Sequence, residues 1–305
     1  MKPAVFIHTN AKQMLGARVA RHALLRNTAA ADRFDLHIIE TRSFDFITAR
    51  HGQRYLRGGR HSTWSADDLQ SFTPLRFAVP ELMGYQGRAV IMDPDIFALR
   101  DIHDLLERDM QGAAIVARPI PARGKQPAMW ASSVMLLDCA RLAHWNVAQQ
   151  FDELFQFRRD YRLWMNLLDE PAGSIGELPG QWNDFDHLDE DTCLLHTTQR
   201  RTQPWKSGLP IDFAEQDKSL RRRARQGMVS TLRRLRGDPA PLGRYQPHPD
   251  PAQERLFYKL LAECVDIGSI SLAEIRSEIA AGNIRADSLE CMKAAHAHRS
   301  PALSA

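Results

Sequence analysis

The first forty residues constrain the fold more than any other stretch. Residues 4–9 ("AVFIHT") mix apolar and β-branched side chains. Residues 13–27 ("QMLGARVARHALLRN") carry apolar side chains at helical spacing, and 34–40 ("FDLHIIE") are a second apolar run. Strand, helix, strand in this order is a β-α-β unit, whose strands run parallel under a crossover helix. A parallel sheet is buried on both faces. A chain of 305 residues that is 44% hydrophobic has the material for such a core. The expected fold class is therefore α/β: a mixed, mainly parallel sheet with helices on both faces.

The rest of the chain fits that frame. Residues 72–83 are helix-like with an interruption at Pro80, 88–93 ("RAVIMD") read as a third strand, and 102–108 as a short helix. Further strands are expected at 112–118, 132–138 and 192–197, with loops at 119–130 and 170–181. Five prolines between 237 and 251 mark a linker, and two amphipathic helices follow it. The expected organisation is an α/β domain at 1–213, a basic segment and linker at 214–250, and a helical C-terminal extension at 251–305.

No apolar run reaches the roughly 18 residues that a membrane-spanning helix needs. The N-terminus lacks the apolar core of a signal peptide. Four cysteines without CxxC spacing argue for reduced thiols. The expectation is a cytoplasmic protein. Net charge is +3, but residues 218–237 hold seven arginines, one lysine and no acid, on an otherwise mildly acidic chain. That segment reads as a solvated basic helix or as an anchor on an anionic membrane surface. Nucleic acid is the weaker reading, because no aromatic side chain is interleaved with the arginines.

The chemistry begins at "RAVIMDPDIFAL" (88–99). Asp93 and Asp95 lie at the carboxyl end of an apolar strand, the edge where open α/β sheets bind ligands. On an extended chain the two would point the same way. Asp-Pro-Asp is also good turn chemistry, but Ile96-Phe97-Ala98 returns to the core at once. A second apolar run ends in His196, followed by Thr197, Thr198, Arg200, Arg201 and Lys206. Two carboxylates and an imidazole leave open positions on a metal and suit Mn²⁺, with Mg²⁺ less favoured. The hydroxyls and cations that follow are what a phosphate needs.

Taken in order, these motifs resemble a glycosyltransferase of the GT-A fold, nearest to glycosyltransferase family 8, bacterial type. Its hallmarks are a strand ending in Asp-x-Asp and a later His followed by Lys-Pro-Trp. They stand here as Asp93-Pro94-Asp95 and His196 with Gln203-Pro204-Trp205. Residues 75–106, 131–145 and 178–184 resemble further stretches of the family, and the likeness covers roughly 4–210. It implies that Asp93, Asp95 and His196 ligate the metal and that Asp95 also touches the donor sugar. Arg76 would orient the aspartates near the nucleotide, and Thr9 and Asn10 would face the uracil and ribose.

The family's His loop has a Gly and a Lys that are absent here, and Arg201 or Lys206 would supply the missing cation. Asp160 is the only acid in 158–166, where the family places an acid near the reacting carbon. The implied function is transfer of a hexose from a UDP-sugar to a hydroxyl of a glycan or lipid-linked saccharide, with retention. Two other readings stay open. One is a sugar-nucleotide hydrolase or nucleotidyltransferase, although "HTNAKQML" lacks the latter's glycine-rich basic loop. The other is a non-catalytic nucleotide- or glycan-binding relative.

Overall fold

A computed structural model of the chain describes residues 1–124, 126–213 and 243–297. The basic segment expected at 218–237, and with it every reading of that segment, lies outside the described residues. The strands are β1 (Ala4–Thr9), β2 (Asp35–Glu40), β3 (Arg54–Arg57), β4 (Arg60–Thr63), β5 (Arg88–Met92), β6 (Ile96–Ala98), β7 (Ile115–Ile120), β8 (Met129–Asp138), β9 (Ile175–Glu177), β10 (Asp184–Phe185) and β11 (Leu194–His196). The helices are α1 (Met14–Arg26), α2 (Asp45–Thr48), α3 (Val79–Leu82), α4 (His103–Leu106), α5 (Val147–Phe155), α6 (Tyr161–Met165), α7 (Pro251–Asp266), α8 (Leu272–Ala280) and α9 (Ser288–Ala297).

Six strands form the main sheet in the order β2-β1-β5-β8-β7-β9. Only β8 runs antiparallel to its neighbours. Alternate residues of β1 and β5 point to opposite faces, and both faces are covered. Val5, Ile7, Val90 and Met92 join the core under α1, α7 and α9. Ala4, Phe6, Ala89 and Ile91 join the one under α3, α5 and α6. This is why the strands read as continuous apolar runs. The expected fold class is the observed one: mixed α/β, mainly parallel, with helices on both faces and a helical C-terminal region.

The differences from expectation are local. Pro80 does not interrupt a helix. A 3₁₀ stretch, Thr73–Ala78, runs into α3, and Pro80 sits in the first turn of α3, where its missing N–H has no helical partner to lose. The expected loop at 119–130 is the tip of a long hairpin, with Ile120 opposite Met129. The β3–β4 hairpin was not anticipated, although its turn is Gly58-Gly59, both with positive φ (60° and 71°), as a tight two-residue hairpin turn requires.

Asp93-Pro94-Asp95 is a turn rather than extended chain. It carries the chain from β5 in the main sheet to β6 in a smaller sheet ordered β10-β11-β6. The core resumes at Ile96 because β6 is itself a buried strand. Antiparallel pairing of β6 with β11 sets His196 opposite Ile96, one residue from Asp95. The two sequence motifs therefore meet through strand register.

Behind β6, Trp205 stacks on Phe257 of α7 at 4.5 Å between ring centroids, and Phe97 stands edge-on to Trp205 at 5.9 Å. The C-terminal helices thus share the core under α1. Among the described residues no helix is long and apolar enough to cross a membrane.

Candidate metal centre

Asp93, Asp95 and His196 bring their ligand atoms within 4.8 Å of one another, on the wall of a cavity of about 420 Å³. Each is fixed by a neighbour. Arg76, from the 3₁₀ stretch, grips Asp93 with Nη2 at 2.7 Å from Oδ1 and 2.5 Å from Oδ2. Its Nη1 donates to Ser132 Oγ at 2.7 Å. His8, next to the last residue of β1, places Nε2 at 2.9 Å from Asp93 Oδ1. Gln203 Nε2 donates to Asp95 Oδ2 at 3.0 Å, and Gln13 Nε2 in turn donates to Gln203 Oε1 at 3.3 Å. Thr197 ties the turn to the end of β11, its backbone N–H donating to the Asp95 carbonyl at 3.2 Å.

His196 is oriented from behind. Its Nδ1 lies 2.8 Å from Asn183 Oδ1, while Asn183 Nδ2 donates to Ser133 Oγ at 3.0 Å. With the amide oxygen accepting, Nδ1 carries the proton and Nε2 keeps a lone pair toward the aspartates. A ligand imidazole held by a second hydrogen bond is the usual support of a metal site.

Burial and the closeness of two carboxylates set the electrostatics. Burial works to raise the pKa of Asp93, but Arg76 and then His8 hold it well below the usual carboxylate range. Asp95 is pushed up to about 8, first by burial and then by the Asp93 carboxylate. His196 is pushed down to about 4 by burial, so its ring is neutral near pH 7. Asp95 Oδ1 is buried without a hydrogen-bond partner, 3.5 Å from His196 Nε2. A buried carboxylate oxygen without a partner is costly, and a cation there would offset that cost. The donor set of two carboxylate oxygens and one neutral imidazole nitrogen fits a divalent metal.

Thr198 and Arg200 line the same cavity, but Thr9, Asn10, Arg201, Lys206 and Asp160 do not. Thr9 is buried and its hydroxyl donates to the Asn10 carbonyl. The Asn10 amide is committed to the carbonyls of Asp68 and Leu69, each at 3.1 Å, and to Ser71 Oγ at 3.0 Å. It pins the loop after β4 to the end of β1, and neither residue lines the cavity. Lys206 is fully buried and pairs with Asp212 at 2.9 Å, so it is not a cation facing the cavity. Arg201 is exposed outside it, and the neighbouring Arg200 lines it instead.

Asp160 has a different task from the one expected. It caps α6 through the N–H of Arg162 at 2.7 Å and holds the N–H groups of Gly58 and Gly59, away from the cavity lining. Sequence reasoning did not assign His8, Gln13, Ser132 or Asn183 to the site. Asn183 carried a signal, since it lies in the 178–184 stretch that precedes the histidine strand.

No family model and no curated protein sequence matches this chain. Among solved structures, it is similar to the glycosyltransferase GlyE of Streptococcus pneumoniae TIGR4 (13% identity, 82% of this chain and 66% of that one, TM-score 0.47). It is also similar to the galactosyltransferase LgtC in complex with donor and acceptor sugar analogues (12%, 77% and 99%, TM-score 0.46). A third is mouse xyloside xylosyltransferase 1 (15%, 65% and 98%, TM-score 0.42). This chain thus spans 66% of GlyE, and 47% of the bifunctional glycosyltransferase WbbM.

Proposed function

We propose that this chain is a metal-dependent glycosyltransferase. It moves a hexose from a UDP-sugar to a hydroxyl of a glycan or lipid-linked saccharide, with retention. The observation that carries the reading is the convergence of Asp93, Asp95 and His196 on one cavity, with the histidine lone pair and an unpartnered Asp95 oxygen turned toward each other.

Breaking the bond between the anomeric carbon and a phosphate builds negative charge on the leaving diphosphate. Mn²⁺, held by Asp93, Asp95 and His196, would supply Lewis-acid charge to that diphosphate. The chain's own residues prepare the place. Arg76 keeps Asp93 ionised, Gln203 aims Asp95, and Asn183 fixes the His196 tautomer. Arg200, on the cavity wall, adds a cation that needs no reorganisation as charge develops; one well-placed group of this kind is worth about 3 kcal/mol. Among the described residues, Asp93 and Asp95 are the carboxylates lining the cavity. Retention is what the family resemblance implies; in a front-side attack the acceptor oxygen bonds to the anomeric carbon as the bond to phosphate breaks, and a leaving phosphate oxygen takes the acceptor proton.

The test is calorimetric titration of UDP into the protein with and without Mn²⁺, repeated with His196→Ala. Mn²⁺-dependent binding that disappears in the variant supports the reading. Equal binding with and without Mn²⁺, in parent and variant alike, overturns it.

A further inference from the structure

A second cavity of about 660 Å³ adjoins the metal cavity. The two share Arg57, Gln70, Tyr161, Arg162 and Arg200. Its own walls come from the β3–β4 hairpin and the start of α6. Among the described residues its lining carries four arginines, Arg57, Arg60, Arg162 and Arg200, with His61, against one carboxylate, Asp68.

This basic lining is built. Asp160 Oδ1 accepts from Gly58 N–H at 2.9 Å and Oδ2 from Gly59 N–H at 2.7 Å, while the same carboxylate caps α6. One side chain therefore locks the hairpin tip, which bears Arg57 and Arg60, to the helix start, which bears Arg162. The Arg57 guanidinium lies 4.5 Å from the centroid of the Tyr161 ring and donates to Tyr55 Oη at 3.0 Å, which fixes its direction. Arg200 is placed beside it, and burial first and then the Arg57 charge disfavour its charged form. The Arg57 guanidinium, so directed in an open cavity that Arg60, Arg162 and Arg200 also line, matches the planar oxygens of a phosphate or carboxylate.

We infer that this second cavity binds an anionic group, phosphate or carboxylate, on the saccharide that accepts the hexose. The role of acceptor rests on the function proposed above; the anion site does not. The metal ligands belong to the first cavity, whereas Arg60 and His61 line only the second.

The experiment titrates D-glucose 6-phosphate, D-glucuronate and D-glucose into the full chain by calorimetry, with and without saturating UDP and Mn²⁺. At least one of the anionic sugars is expected to bind about tenfold or more tighter than glucose. Its affinity should fall as salt is raised and should persist in the presence of UDP and Mn²⁺. The tighter anion tells phosphate from carboxylate. The Arg60→Gln/His61→Gln double variant, at two positions that line only the second cavity, should weaken that binding by about tenfold or more and leave the Mn²⁺-dependent binding of UDP unchanged.

Displacement of the sugar by UDP and Mn²⁺ would hand the arginines to the donor diphosphate and overturn the inference. Equal affinity for glucose, or unchanged binding in the double variant, would do the same. If the anionic sugar binds as described while UDP does not bind at all, the anion site stands and the donor reading fails.

Discussion

Two Asp-Asp-His groups stand among the described residues, and in each the ligand-capable atoms lie within 4.8 Å of one another. One is Asp93, Asp95 and His196. The other is Asp184, His187 and Asp189. Their residue types are the same and their chemistry is opposite. The His196 side chain is 7% exposed and the His187 side chain 61%. Burial pushes His196 down to about 4 and leaves a neutral ring with a free lone pair. The Asp184 carboxylate raises the pKa of His187, first by hydrogen bonding and then through its charge, which favours an imidazolium.

The carboxylates differ in the same sense. Asp184 accepts from Thr192 Oγ1 at 3.0 Å, and Asp189 accepts from backbone N–H groups of its own loop. Asp95 keeps a buried oxygen without a partner. Proximity of ligand atoms is thus shared by a solvated ion pair and a candidate metal centre. What separates them is desolvation together with a second layer of hydrogen bonds that turns lone pairs inward.

The largest effect should come from removing ligands. Asp95→Ala or His196→Ala should weaken Mn²⁺ binding by more than about 100-fold, beyond the loss typical of outer-layer substitutions. Electron paramagnetic resonance titration of free Mn²⁺ reads it directly. If either variant binds Mn²⁺ as the parent does, the buried group is no more a metal site than the surface one. Asn183→Ala comes next. It removes the acceptor that fixes the His196 tautomer, and about 10- to 100-fold in Mn²⁺ affinity should go with it. An unchanged affinity would mean that orientation of the ring is not what distinguishes the two groups.

The parts of this site visible in the sequence are those carried by local pattern. Apolar runs gave away β1, β5 and β11, and Asp93, Asp95 and His196 stand at the ends of two of them. What joins them is not local. His196 reaches Asp95 because β11 pairs antiparallel with β6, a three-residue strand too short to show a period. Asp160 misled for the opposite reason. An acid in the right region looks catalytic in one dimension, but its four backbone donors come from the Gly58-Gly59 turn and the first turn of α6, a hundred residues apart in sequence. Asn10 is similar: the family resemblance set it facing the uracil and ribose, and only the fold shows its amide spent on Asp68, Leu69 and Ser71.

The effect of pH should split the two groups again. Without metal, Asp95 is pushed up to about 8, so below that pH a cation must displace its proton. Mn²⁺ affinity should fall by about tenfold for each pH unit below it. A flat profile over the two or so pH units below about 8 would show that Asp95 is ionised in the free protein. In ring-proton NMR of the metal-free protein, His196 should stay neutral down to about pH 4. His187, its pKa raised in the folded state, should titrate above the ordinary value of about 6.5. The stabilisation from the His187 pair is present in full below that ordinary value and is lost as pH rises through the raised one.

Gly16 tests the turn itself. A Cβ on this helical glycine would stand 2.8 Å from the Pro94 carbonyl oxygen, so α1 lies against the backbone between the two aspartates. Gly16→Ala must push that turn away, at about 1–3 kcal/mol of stability. The loss of Mn²⁺ affinity should be smaller than in Asn183→Ala. If the melting temperature falls while Mn²⁺ affinity holds, the turn tolerates displacement and the ligands re-form around it.

The smallest effect is the sharpest control on the comparison. His187→Ala deletes the imidazole of the surface group, whose partners Asp184 and Asp189 keep their hydrogen bonds to Thr192 and the loop backbone. Exposed ion pairs contribute little because water and salt already screen their charges. Mn²⁺ affinity, UDP binding and melting temperature at pH 7 should all match the parent. A measurable loss of Mn²⁺ binding in this variant would make the surface group a second cation site. Burial would then no longer be the property that separates a metal centre from an ion pair in this fold.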